Sequence, residues 1–324
     1  MKAILCEQWG GPETLRLTEV PLPQPGPGQV RIRIAAAGVN FPDVLIIQKK
    51  YQVQPQLPFV PGAEVAGTVE AVGDGVRDIQ AGAAVAALCG TGGFAEACVV
   101  DAAQCVLLPP DLPMDLAAGL VLAWGTAWHA LRDRAALCEG ETLLVLGAAG
   151  GVGLAAVQIG KAIGARVIAA AGTPEKVDLC RRQGADEGFD YEREDLRETV
   201  RRLTDGTGPA VVFDAVGGRF SEPALRSIAW RGRHLVVGFA AGAVPAIALN
   251  LPLLKGASLI GVFWGEFAKR EPRRHAEGLR EILDWIAQGR IRPLVSRRYA
   301  LADAPRALAD LAARAATGKV IVVP

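Results

Sequence analysis

Apolar positions change their rhythm along this chain of 324 residues. Up to about residue 122 they fall in short runs, among them residues 30–35 and 65–72, separated by Pro and Gly. The densest interruption reads Pro21-Leu22-Pro23-Gln24-Pro25-Gly26-Pro27-Gly28. Closely spaced turn signals with few long helical periods predict a β-rich, barrel-like unit.

From about residue 123 the pattern differs. Residues 143–146 are a continuous apolar run, as expected for a parallel strand buried on both faces. Residues 151–164 carry helical spacing, 166–171 read as a strand, and 175–183 as a helix closed by Gly184. Strands at 211–213 and 234–237 flank a helix over 220–230, and 259–264 reads as a last strand. Strands alternating with helices predict an α/β fold with a doubly wound parallel sheet. After about residue 266 the chain turns charged and helical (277–288) and ends in the strand Lys319–Val323. The expected division is therefore residues 1–122 with a returning tail, 266–324, as one domain, and 123–265 as the other.

Composition narrows the function. Apolar residues make up 51% of the chain, enough for a sizeable core, and the formal charge of +1 favours neither nucleic acid nor an anionic membrane. The six cysteines include no C-x-x-C pair and the three histidines are scattered, so neither a disulfide framework nor a zinc spacing is visible. The apolar stretch between Lys2 and Glu7 is too short for a secretion signal. The longest nearly apolar run, 143–160, reads better as strand, turn and helix than as a membrane span. Cytoplasm is the expected location.

The turn inside that run carries the chemistry. Gly147-Ala148-Ala149-Gly150-Gly151-Val152-Gly153 is a variant of G-x-G-x-x-G with alanine first. Small residues at 147–149 permit a tight turn, Gly150 lets backbone approach a pyrophosphate, and Gly153 lets the helix lie against the strand. The helix N-terminus then offers free N–H groups and partial positive charge to the anion. The motif follows an apolar strand and opens a helix, which is the context it requires. At the end of the next strand an NAD-binding chain carries an acid for the ribose hydroxyls. Here the sequence is Ala171-Gly172-Thr173-Pro174-Glu175-Lys176, with no acid closing the strand and a lysine within one turn. A cation there suits the 2′-phosphate of NADPH, with Glu175 expected to point away.

Beyond this turn the chain resembles the zinc-independent, zeta-crystallin-like NADPH:quinone oxidoreductases of the medium-chain dehydrogenase/reductase superfamily. The resemblance rests on Gly38-Val39-Asn40-Phe41-Pro42-Asp43, Pro61-Gly62-Ala63-Glu64-Val65-Ala66-Gly67, Trp124-Gly125-Thr126-Ala127, the glycine turn, Asp190-Tyr191 and Thr317-Gly318-Lys319-Val320, and covers nearly the whole chain. It implies a GroES-like β-barrel domain plus a Rossmann domain, and a homodimer paired through the edge strands of the Rossmann sheets, here 259–264. Alcohol dehydrogenases of the superfamily place a cysteine ligand where this chain has Asn40 and a histidine where it has Ala63. Neither residue supplies those ligands, so no metal is expected.

Without zinc the remaining chemistry is the cofactor's: hydride to a quinone or to an alkene conjugated with a carbonyl. The resemblance makes Asn40 the positioning residue near nicotinamide ribose and substrate. Tyr51, 11 residues further on, becomes a candidate proton donor. It puts Thr126 beside the cofactor, Tyr191 with Lys176 near the adenosine phosphate, and Val216, Phe239, Phe263 and Trp264 along the adenine-to-nicotinamide run. Gly172 and Thr173 complete the cofactor set. An enoyl-thioester or 2-alkenal reductase shares all these motifs, and would need a basic groove for CoA phosphates such as Arg231, Arg233 and residues 269–274. A non-catalytic NADPH-binding protein with a structural or RNA-binding role is the alternative of another class, disfavoured by the missing basic stripe.

Overall fold

The computed structural model describes every residue, Met1–Pro324. Its strands, in chain order, are β1 (Lys2–Leu5), β2 (Arg16–Glu19), β3 (Gln29–Val39), β4 (Glu64–Val72), β5 (Ala84–Leu88), β6 (Ala97–Asp101), β7 (Cys105–Leu107), β8 (Thr142–Leu146), β9 (Arg166–Ala171), β10 (Glu187–Asp190), β11 (Val211–Asp214), β12 (Arg233–Val236), β13 (Ser258–Gly261), β14 (Val295–Ala300) and β15 (Lys319–Val323). The helices are α1 (Phe41–Ile47), α2 (Met114–Ala117), α3 (Val121–Trp128), α4 (Gly151–Ile163), α5 (Pro174–Arg182), α6 (Leu196–Leu203), α7 (Ser221–Ser227), α8 (Asn250–Lys255), α9 (Trp264–Arg270), α10 (Pro272–Ala287) and α11 (Ala304–Ala312). No helix is long and apolar enough to cross a membrane.

The chain divides into two units, Met1–Leu122 with Pro293–Pro324, and Ala123–Arg292. The first unit holds a seven-stranded sheet in the order β14-β15-β3-β4-β5-β7, with β6 also pairing β3, and a separate β1-β2 ribbon. In β3, Val30, Ile32 and Ile34 are buried while Arg33 and Ala35 are exposed, the period of two that gives a sheet one apolar face. The register of the central strands places Val39 opposite Val320 and Gly38 opposite Glu64. Residues far apart in sequence thus meet at the end of β3.

The second unit is a six-stranded parallel sheet in the order β10-β9-β8-β11-β12-β13, the doubly wound arrangement expected. Leu143, Leu144, Val145 and Leu146 of β8 have no exposed surface, as a run apolar on both faces requires. β13 closes one edge of the sheet.

Three expectations need correction. The segment between residues 266 and 292 belongs to the second unit, not with the tail. Its helix α10 buries His275, Gly278, Leu279, Ile282 and Trp285 at helical spacing, and Gly278 lies so close to the Trp128 ring that a Cβ would sit 2.6 Å from it. The last strand runs only over Ser258–Gly261, because β12 ends at Val236 and offers no further ladder; Trp264 instead opens α9. The helix expected over 220–230 stops at Ser227, where Ile228 turns extended (ψ 148°).

Candidate functional site

In the second unit the glycine turn is built as its spacing requires. Gly147 adopts φ +69°, a conformation that excludes most side chains, and a Cβ there would also meet Val216 at 2.8 Å. A Cβ on Gly153 would overlap the Gly147 carbonyl oxygen and lie 2.8 Å from the Ala148 Cα. These two glycines are demanded by the protein itself. Gly150 is different. It is the N-cap of α4, with no side chain to cap the helix, and a Cβ would meet only the Gly147 oxygen at an ordinary 3.5 Å. The space in front of Gly150 is open, and the first-turn N–H groups of α4 have no intrahelical acceptor. Residues Gly151 and Val152 complete that turn, half-buried, while Ala148 and Ala149 are buried behind it. The arrangement fits a pyrophosphate.

One strand away, Thr173 caps α5, its hydroxyl accepting from the Lys176 N–H at 3.3 Å. Gly172 lies against Tyr191, whose ring would be 3.5 Å from an added Cβ. Tyr191 in turn packs on Phe220 with centroids 4.5 Å apart. Glu175 is fully exposed, and its carboxyl is held below the usual range chiefly by its own backbone N–H and by the Thr173 hydroxyl. Exposure leaves that carboxyl well screened.

A buried cluster stands at the end of β11. The Asp214 carboxylate, at the end of β11, accepts from the amides of Val216 (3.0 Å) and Gly217 (2.8 Å) through Oδ1. Its Oδ2 accepts from the Ser221 hydroxyl (2.5 Å) and lies 3.2 Å from His234 Nε2. Burial alone would raise this carboxyl, but the bonds from His234, the Gly217 amide and Ser221 bring it below the usual range. Aspartate sits between serine and histidine here, so the set does not activate a nucleophile; it fixes the 214–217 turn that presents Val216 to Gly147. Phe239 and Phe263 are partly exposed apolar side chains, as a ligand-facing role would need. Trp264 is not. Its ring is buried over Gly125 and edge-on to His275 at 5.3 Å, with Phe267 nearby stacked on His129. It serves as core of the second unit. Thr126, one helical residue from Gly125, is buried as well.

In the first unit, Asn40 ends β3 and begins α1. Its side chain is buried among charges that the motifs did not connect. Nδ2 donates to Glu64 Oε1 at 2.9 Å and, more weakly, to the Gly38 carbonyl at 3.3 Å. Oδ1 accepts from Lys319 Nζ at 2.6 Å, and the same ammonium is ion-paired with Glu64. Glu64 Oε2 accepts from the Leu122 amide at 2.8 Å. Gly38 makes this possible: any Cβ would collide with the Glu64 carboxylate. Asp43 completes the group, its Oδ2 accepting from the Asn40 N–H at 2.8 Å while Oδ1 finds no partner. Complete burial pushes the Asp43 carboxyl up to about 7, against the opposing pull of the Asn40 amide and Lys319. Tyr51 is half-buried against the apolar core, and burial, then the Asp43 charge, raises its hydroxyl. Sequence reasoning gave Glu64, Lys319, Asp43 and Asp214 no role. The available signal was a charged residue beside or inside an apolar strand, which a core tolerates only when paired.

No group of three or more His, Cys, Asp or Glu side chains is arranged to hold a metal ion. Cys98 is buried and Cys89 and Cys105 are partly so, with the Cys89 thiol pushed up by its neighbour Cys98 and by burial.

Two family models match the chain: an alcohol dehydrogenase GroES-like domain over residues 26–110 and a zinc-binding dehydrogenase over residues 151–286. A quinone oxidoreductase of Pseudomonas aeruginosa is 37% identical over 325 residues, covering 100% of this chain and 99% of that protein. Quinone oxidoreductase-like protein 2 of Bos taurus is 39% identical over 286 residues, 88% of this chain and 82% of its own length. Among solved structures, Escherichia coli quinone oxidoreductase complexed with NADPH superposes with a TM-score of 0.95 at 31% identity, covering 100% of both chains.

Proposed function

This chain belongs to the quinone oxidoreductase family of the medium-chain dehydrogenases/reductases, and from that membership we propose that it reduces quinones with NADPH and without zinc. The observation that carries the reading is the contrast between Gly153 and Gly150. The first is glycine because the protein leaves no room, the second although the protein leaves room, which reserves that space for a ligand. When bound, NADPH supplies a hydride from its nicotinamide C4.

The residues divide the work by unit. In the second, Ala148, Ala149, Gly150, Gly151, Val152 and Gly153 hold the pyrophosphate, and Gly172, Thr173, Lys176 and Tyr191 hold the 2′-phosphate end. Thr126, Val216, Phe239 and Phe263 border the remainder. In the first unit, Asn40 orients nicotinamide ribose and acceptor, and Tyr51 is the proton donor. Its raised hydroxyl stays protonated at neutral pH, as a donor must. Zinc independence rests on the donor set, since Asn40 and Ala63 stand at the ligand positions of zinc-dependent relatives.

For the enoyl-CoA alternative, three of the charges its groove would use are already engaged: Arg233 is ion-paired with Glu141, Arg270 with Glu266, and Arg274 with Asp133 and Glu277. The decisive assay is NADPH and NADH consumption against a panel of quinones, 2-alkenals and enoyl-CoA esters. Quinones with NADPH should give the highest kcat/KM, and enoyl-CoA esters exceeding them would overturn the proposal. Tyr51→Phe should lower turnover; unchanged turnover with every acceptor removes the residue as donor.

The cytoplasmic homodimer is part of the same proposal. β13 is an edge strand, and beside it in sequence Leu249, Leu253 and Leu254 are at least 70% exposed, as is Trp230. An open apolar edge invites a second copy. Sedimentation should give twice the chain mass, and Leu253→Glu with Leu254→Glu should give monomers.

A further inference from the structure

The charges around Asn40 do more than fill space. An asparagine amide has two chemically opposite ends of nearly equal size, and an isolated one can turn over at little steric cost. Here Oδ1 faces the Lys319 ammonium at 2.6 Å and Nδ2 faces the Glu64 carboxylate at 2.9 Å. Turning the amide over would set its N–H groups against the ammonium and its oxygen against the carboxylate, in a site with almost no exposed surface. Low local polarizability magnifies both repulsions. The ion pair itself is neutral overall and is held on the backbone by the Leu122 amide and the Val39 carbonyl. The ammonium has no donor left for a ligand, being spent on Asn40, Glu64 and Val39, and Glu64 has no exposed surface through which to meet one.

We propose that Lys319 and Glu64 are positioning residues that act through Asn40, fixing which end of its amide is left to meet cofactor and acceptor. The amide keeps one oxygen lone pair and the N–H engaged only weakly by Gly38, and the ion pair decides where each of them points. This rests on the assignment of Asn40 to the nicotinamide and acceptor made above. It explains why the chain carries a buried lysine whose charge stabilises no ligand directly. It also explains why Gly38 must be glycine, since only then can the Glu64 carboxylate lie alongside Asn40.

The test is a cycle of variants assayed for quinone-dependent NADPH oxidation. Glu64→Gln with Lys319→Met removes both charges together, so neither remains buried alone, and keeps an oxygen for the Leu122 amide. It should fold with an unchanged far-ultraviolet spectrum and lose at least tenfold in kcat/KM. Asn40→Ala should lose a comparable factor, and combining all three substitutions should cost less than a further twofold. A folded double variant with wild-type kcat/KM overturns the proposal, as does a triple variant whose losses multiply. Wild-type activity in Asn40→Ala would overturn the assignment of Asn40 as well, which separates the two failures. Should the double variant not fold, Lys319→Arg and Glu64→Asp replace it, since both keep the buried charges paired. The first should keep activity within threefold, and the second, which withdraws the carboxylate from the Asn40 amide, should not; equal activity in both overturns the proposal.

Discussion

The two units build their parts of the proposed site from different materials. The second uses backbone: the N–H groups of α4, a bare N-cap at Gly150 and a turn held in place by Asp214. The first uses side chains, with Asn40, Asp43, Glu64 and Lys319 buried together although as many as 279 positions separate two of them in sequence. A backbone site tolerates many neighbours but not a Cβ in the wrong place. A side-chain site tolerates backbone variation but depends on every charge being answered.

Removing one charge should break the first unit hardest. Lys319→Met alone leaves Glu64 buried without its cation, and should cost about 3–5 kcal/mol in urea unfolding. The neutral double variant should recover most of that. If the single variant is as stable as wild type, the ion pair is not answering a buried charge.

Protonation offers the next test. A folded-state pKa near 7 for Asp43, against about 3.9 unfolded, means that the folded chain binds the extra proton in that interval. Stability from this group is therefore full below about pH 4 and declines by roughly 4 kcal/mol as pH rises through 7. The second unit opposes it. Burial lowers His275 to about 4, so the unfolded chain binds the proton between there and about 6.5, and stability falls by roughly 3 kcal/mol as pH drops through that interval. Asp43→Asn should abolish the first slope and leave the second, read from urea midpoints between pH 5 and 8. A parallel offset at every pH would mean that Asp43 is ionised in the folded state.

In the second unit, Gly153→Ala should destabilise by about 3 kcal/mol in thermal unfolding, because backbone must move to admit the methyl. Gly150→Ala should leave the melting temperature unchanged and weaken NADPH binding at least tenfold by fluorescence titration. Equal stability losses in the two would erase the distinction between a packing glycine and a ligand glycine.

The smallest effect is expected at Lys176. Replacement by alanine should raise the NADPH Kd by about tenfold, near 1.4 kcal/mol, and leave NADH untouched. Equal loss for both would show that the lysine does not read the 2′-phosphate.

The sequence by itself determined the strand, glycine turn and helix on which the second unit's part of the proposed site rests. A β8 strand apolar on both faces, glycines at set spacing and a helix start are local features, and hydrophobic burial with steric exclusion at Gly147 and Gly153 makes them cooperate over a few residues. The absent acid after Ala171 is local as well. It did not determine where α10 belongs, since a charged amphipathic helix pairs with whichever apolar surface is nearest, here Trp128 and its neighbours. Nor did it place Trp264, whose aromatic character suits a ligand wall and a core equally. Only the tertiary structure decided the setting of Asn40. The register of β15 on β3 and of β3 on β4 brings Lys319 and Glu64 to one amide, and buried charges find their partners through sheet topology, which no local spacing records.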